Sequence, residues 1–202
     1  MPSRGQRWSR GVFLNVPFDE TFEPLFVALV SSVVALGRTP RCVLEIPEDG
    51  QGRLVRILSL IRNCRTSIHD LSREEIPARF NMPFEVGIAF ALSRLETPRH
   101  RFIVMESEKR RLKRTLNDLD GLDALCHENE PQILIARLLS TLGKRHGNPL
   151  PRDVITLHQE VWKMAVELKR AHLTSNIYSR ALFCELVAGA TKRASELRLL
   201  KP

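Results

Sequence analysis

Aromatic residues are scarce: phenylalanine, tryptophan and tyrosine make up 6% of 202 residues, and Tyr178 is the single tyrosine. A nucleic-acid surface built on stacking needs rings interleaved with basic side chains, so this shortage leaves nucleic-acid binding as a secondary property at most. Long apolar runs are also missing. Even the segment from Phe26 to Leu36 falls short of the ~20 residues a membrane-spanning helix needs, so no membrane partner is expected. The first twenty residues carry basic side chains, but Asn15, Pro17 and Asp19 interrupt their apolar run. That pattern is not a signal peptide, and a cytoplasmic location is the expectation.

Cysteine is limited to positions 42, 64, 126 and 184, with no C-x-x-C pair, which reads as structural thiols rather than a metal or redox centre. The six histidines are scattered, so no metal site is expected. Phosphate-binding loops of the G-x-x-x-x-G-K-[ST] or G-x-G-x-x-G kind are absent, as are H-E-x-x-H and G-x-S-x-G. Neither an internal repeat nor a low-complexity segment interrupts the chain.

What is present is an ordinary globular composition, 43% apolar and 27% charged, long enough for one full domain and an appendage. Basic residues outnumber acidic ones by 31 to 23, an excess that attracts anions, yet it is spread through amphipathic segments apart from Lys109–Arg114 and the three arginines of the first ten residues. Short apolar runs alternate with 3.6-period stripes. The pattern predicts strands over Gly11–Val16, Arg41–Ile46, Thr66–Leu71 and His100–Met105, with a weak fifth at Asp123–His127. Helices are predicted over Glu20–Gly37, Arg53–Cys64 (with Leu54, Ile57, Leu58 and Ile61 on one face), Pro83–Leu95, Leu112–Leu122 and Pro131–Leu142. Such alternation implies an α/β fold: a doubly wound parallel sheet of about five strands. The expected organisation is a basic tail over 1–10, the α/β domain over 11–146, a linker over 147–151, and a pair of amphipathic helices over 152–202. That pair either packs on the domain as a hairpin or makes an oligomer interface.

In a parallel sheet, ligands bind beyond the carboxyl ends of the strands. Three motifs fall there: Asn15-Val16-Pro17-Phe18-Asp19, Asp70-Leu71-Ser72, and Asn81-Met82-Pro83-Phe84-Glu85-Val86-Gly87. They are expected to converge. Glu85 is the candidate catalytic residue. With Pro83 in the first turn, it is expected within about one turn of a helix N-terminus, whose partial positive charge favours an ionised carboxylate suited to a nucleophile or an oxocarbenium stabiliser. Glutamate is also a favoured first-turn residue for purely structural reasons. Gly87 in a helix interior costs ~1 kcal/mol relative to alanine and asks for a reason, such as close packing or ligand approach. Asp70 is either an acceptor for ribose hydroxyls or a turn-capping residue. Asn15 and Asp19 are placed to hold a sugar or base, although Asp19 equally suits a helix cap. Ser72 and Asn81 are common loop and cap residues.

At these motifs the chain resembles the superfamily that joins nucleoside 2-deoxyribosyltransferases with Toll/interleukin-1 receptor (TIR) domains. Val12–Asp19 resembles the first strand and loop, Thr66–Ser72 the third strand, and Glu85-Val86-Gly87-Ile88-Ala89 the E-x-G-x-A stretch that carries the deoxyribosyltransferase glutamate. The likeness spans roughly residues 10 to 145. It implies a flavodoxin-like fold and cleavage of an N-glycosidic bond in a nucleoside or in NAD, which would be substrate rather than cofactor. Glu85 would be the catalytic carboxylate. Asn15, Pro17, Phe18, Asp19, Asp70, Ser72, Asn81 and Met82 would contact the substrate. Tyr178 lies outside the matching stretch, and Asn81 stands where TIR domains place the tryptophan of W-x-x-x-E. The leading expectation is a TIR-like, NAD-consuming protein of the bacterial immune type that assembles as a homo-oligomer. A nucleoside 2-deoxyribosyltransferase and a non-catalytic nucleotide-binding or self-assembling module are the alternatives.

Overall fold

The computed structural model describes residues 8–47, 50, 52–73, 81–95, 100–116, 123–143 and 147–200. The fold is α/β. Its five-stranded parallel sheet has the order β2-β1-β3-β4-β5, where β1 is Trp8–Asn15, β2 Thr39–Arg41, β3 Cys64–Asp70, β4 Arg101–Glu106 and β5 Leu125–Cys126. This is the flavodoxin-like order. Val12, Phe13 and Leu14 of β1 are all buried, as continuous apolar character in a strand covered on both faces requires.

The chain forms two compact units. One comprises residues 1–17 and 41–128, the other 18–40 and 129–202. In the first, helix α2 (Arg53–Asn63) lies against β1 and β3, and α3 (Asn81–Leu95) lies against β3 and β4. Leu71, Met82, Val86, Val104 and Leu112 form an apolar core that joins α3, β4 and the short helix α4 (Arg111–Thr115). In the second unit, α1 (Glu23–Ala35) packs with α5 (Pro131–Leu142), α6 (Pro151–Ala171) and α7 (Arg180–Glu196). Helix α1 is buried on almost every side, as a helix with apolar residues all round must be. Its one buried acid, Glu23, accepts from Lys169 Nζ at 2.7 Å and from the Ile177 amide at 2.9 Å.

Three expectations are corrected. The second strand is Thr39–Arg41, and Val43–Glu45 forms a single 3-10 turn closed by the Arg41–Glu45 ion pair at 2.7 Å. Pro40 explains the short strand: it has no N–H for a ladder and is tolerated at the sheet edge that β2 occupies. On α2 the buried stripe is Ile57, Leu60 and Ile61, whereas Leu54 and Leu58 are exposed, because the helix is rotated to bring the i, i+3, i+4 set inward. The second helix of the pair expected over 152–202 ends at Glu196, and Leu197 just past it is exposed. The helix expected over Leu112–Leu122 appears as α4, and its remainder at 117–122 lies outside the described residues, as do 144–146 at the end of the expected α/β domain.

No described helix is long and apolar enough to cross a membrane. All four cysteines are free, three of them buried; burial pushes the Cys42 and Cys64 thiols up to about 12.

Candidate functional site

In this strand order β1 and β3 are neighbours whose onward connections lead to opposite sides of the sheet, β1 to β2 and β3 to β4. The region beyond their carboxyl ends is the topological switch point, where open α/β sheets generally bind ligands. Asn15 and His69 are paired across this junction in the β1–β3 register.

Glu85, on α3, reaches this point. Asn15 Nδ2 donates to Glu85 Oε2 at 2.5 Å, a short, charge-assisted contact when the carboxylate is ionised. Glu85 is 3% exposed. It is the fifth residue of α3 (Asn81–Leu95), about one turn in from Asn81. The expected electrostatics change. Burial raises its pKa, against the Asn15 hydrogen bond and the positive charge of Arg53 at the start of α2, which both favour ionisation. Desolvation wins because the carboxylate has exchanged bulk water for one amide donor and a more distant guanidinium.

The second N–H of Asn15 meets His69 Nδ1 at 3.0 Å. His69 Nε2 contacts Ser67 Oγ at 2.8 Å, Ser67 Oγ contacts His100 Nε2 at 2.7 Å, and His100 Nδ1 contacts the Cys64 carbonyl at 3.1 Å. All of these side chains are buried. Burial and the neighbouring His100 lower the His69 pKa to about 3, so the ring is neutral. Phe13 packs edge-on against it, with ring centroids 6.1 Å apart.

The three sequence motifs do not all converge. Asp70 follows His69 and so points to the opposite face of the sheet. It is 0% exposed: one oxygen accepts from the Ser72 amide at 2.9 Å, and the other meets His127 Nε2 at 2.9 Å. Ser72 Oγ contacts the same His127 nitrogen at 2.9 Å. Serine, histidine and aspartate thus meet without forming a hydrolytic triad, which needs the acid and the nucleophile on different ring nitrogens. Pro17 is buried just after β1, where its missing N–H ends the ladder. Met82 is part of the apolar core, and Asn81 is exposed at the start of α3. Phe18 and Asp19 belong to the helical unit. There Asp19 accepts from the Phe22 amide at 3.1 Å as a helix cap, and Phe18 packs on Tyr178 at 5.2 Å. Gly87 is exposed, and among the described residues a methyl group added to it would meet nothing within 4 Å, so close packing against them is not the reason for glycine there.

Sequence reasoning missed Ser67, His69 and His100. The available signal was Ser67-x-His69 in a central strand: two polar residues at period two, sharing a face that an apolar side chain would fill more cheaply. In the basic stretch, Lys109 pairs with Glu128 at 3.1 Å and Arg114 with Glu108 at 3.5 Å, which blunts the cluster. Among the described residues no group of three His, Cys, Asp or Glu side chains is placed to hold a metal ion.

Fold and site together define an α/β protein of flavodoxin-like strand order with a buried, amide-held carboxylate at its switch point. No family model matches the chain, and neither a curated protein nor a solved structure does.

Proposed function

We propose that a nucleotide binds at this switch point and that Glu85 acts on its N-glycosidic bond, with NAD the leading substrate and a nucleoside the alternative. The observation that carries the reading is the Glu85 carboxylate, buried at the switch point and held by Asn15. A carboxylate that burial drives towards its neutral form is best completed by a cation, and the nicotinamide riboside of NAD is one. As the bond from the anomeric carbon to the pyridinium nitrogen breaks, its electron pair leaves with neutral nicotinamide. Glu85 faces the positive charge left on the sugar, and water adds to that carbon while losing a proton. In the transferase alternative, a Glu85 oxygen bonds to the anomeric carbon as the first base leaves with the glycosidic electron pair and takes up a proton; a second base, losing its own N–H proton, then displaces the carboxylate.

The likeness of Glu85–Ala89 to the deoxyribosyltransferase stretch supports the same reading. The TIR-like assignment, a role in bacterial defence and a cytoplasmic location belong to this proposal. So does assembly through the C-terminal helices, although the buried stripes of α6 and α7 are already used inside the helical unit and a partner would need their other faces.

A second reading is a binding or self-assembling module without turnover. It is favoured by Asp70, fully buried with both oxygens engaged and so not offered to a sugar. Incubating concentrated protein with NAD and a panel of nucleosides separates the two. Release of nicotinamide or base that Glu85→Gln abolishes supports the enzyme; binding or oligomers without release support the module.

A further inference from the structure

The contacts Cys64–His100–Ser67–His69–Asn15–Glu85 have a direction. The Cys64 carbonyl can only accept, so His100 donates from Nδ1. In a neutral ring its Nε2 then accepts, and the donor is the Ser67 hydroxyl. Ser67 Oγ in turn accepts from His69 Nε2–H, which leaves His69 Nδ1 as a bare acceptor. That acceptor faces Asn15, so the amide must turn its NH2 inwards, one hydrogen to His69 and the other to Glu85. Each donor has an acceptor, and each step follows from the backbone carbonyl at the far end. Running the chain the other way would turn the Asn15 oxygen towards Glu85, which then needs a proton, and would require His100 to carry a second one.

We propose that His100, Ser67 and His69 are positioning residues that lock the Asn15 amide so that its N–H faces Glu85. The inference rests on the reading of Glu85 as the site's carboxylate. An amide does not shuttle protons as an imidazole or hydroxyl does, so Asn15 separates Glu85 from the histidines: the chain orients and does not titrate the site. Of the charged and titratable groups on the elements around Glu85, Arg53 on α2 and His69 on β3 bear on it. Asp70 on β3 is held by Ser72 and His127, and Glu106 on β4 by the Arg110 and Leu112 amides at 2.9 and 2.7 Å.

Two measurements on the free protein test this without any activity. Long-range nitrogen–proton NMR of histidine-labelled wild type should find His69 protonated on Nε2 and His100 on Nδ1 at neutral pH. The Glu85 titration, followed by its side-chain carboxyl carbon signal and assigned with Glu85→Gln, should move upward in His69→Phe, where nothing holds the amide. It should return to the wild-type position in His69→Asn, whose Oδ1 stands in for Nδ1. Should His69→Phe not fold, Ser67→Ala serves instead, since freeing the His69 tautomer should move the titration the same way. If release of nicotinamide or base is observed, kcat should fall ~10-fold in His69→Phe with KM little changed, the cost of about one lost hydrogen bond. A proton on His69 Nδ1 in the wild type overturns the proposal, as does a Glu85 titration indifferent to His69→Phe or not restored by His69→Asn. Correct tautomers and titrations without glycosidic release would refute the enzyme reading and leave the positioning chain standing.

Discussion

Replacing Glu85 with glutamine should make the protein more stable at neutral pH, and the gain should vanish in acid. The folded-state pKa of Glu85 is raised by burial. Such a group contributes its full stability below the unfolded pKa, near 4.3 for glutamate, and loses it as pH rises through the folded value. Glutamine keeps the oxygen that accepts from Asn15 Nδ2 and removes the charge. The magnitude follows from two opposed effects. Desolvating a carboxylate costs several kcal/mol, and a charge-assisted hydrogen bond returns roughly 1.5–3 kcal/mol. With Arg53 returning a little more, a net gain on the order of 1 kcal/mol is expected for Glu85→Gln above neutrality. In a chain of this size that corresponds to about 2–4 °C in Tm. Thermal melts of the two proteins from pH 4 to pH 8 give the difference directly. Curves that coincide at pH 4 and separate upward in favour of the variant support the reasoning. A variant less stable at pH 8 than at pH 4, relative to wild type, would refute it, because the carboxylate would then be stabilising through its partners.

Three further substitutions test other parts of the account. Gly87→Ala, exposed on α3 with open space around the added methyl, should stabilise the fold by ~0.5–1 kcal/mol in urea titrations; nucleotide binding weakened at the same time would mean that a ligand approaches there. Asp70→Asn removes the charge from the buried contacts with the Ser72 amide and His127 and should cost about 1.5–3 kcal/mol, with KM for any substrate unchanged, since Asp70 faces away from Glu85. Tyr178→Phe loses the 2.9 Å bond from the hydroxyl to the Asp19 carbonyl while keeping the ring against Phe18 and Phe26; about 1 kcal/mol should be lost, with Glu85 chemistry unaffected.

Much of the architecture was legible because it rests on short-range patterns. The apolar runs of β1 and β4 and the stripes of α5, α6 and α7 each follow from which side chains avoid water. Val43-Leu44-Glu45 read as strand because its composition suits one, and only the edge position of Pro40 shows why the chain leaves the sheet earlier. The grouping of α1 with α5, α6 and α7 could not be read, since periodicity says which face of a helix is buried and not what covers it. Asn15 and Glu85 were found from motif position, and they touch. Asp70 was placed with them because it closes the third strand at the carboxyl edge of the sheet, but strand alternation sends it and His69 to opposite faces, and the covering helix α3 picks out the His69 face. The polar chain behind Asn15 was overlooked because the period-two pair Ser67 and His69 shows only that one face of β3 is polar, and the register of β1 against β3 is needed to join Asn15 to it.

The central claim is that the Glu85 carboxylate acts on an N-glycosidic bond. The most direct measurement is the initial rate of nicotinamide release from NAD, and of base release from purine and pyrimidine nucleosides, by wild type, Glu85→Gln and Asp70→Asn side by side. Release by wild type and Asp70→Asn that falls at least ~100-fold in Glu85→Gln is the predicted result, the loss expected when a principal charge stabiliser is removed. Equal rates in wild type and Glu85→Gln would contradict the account.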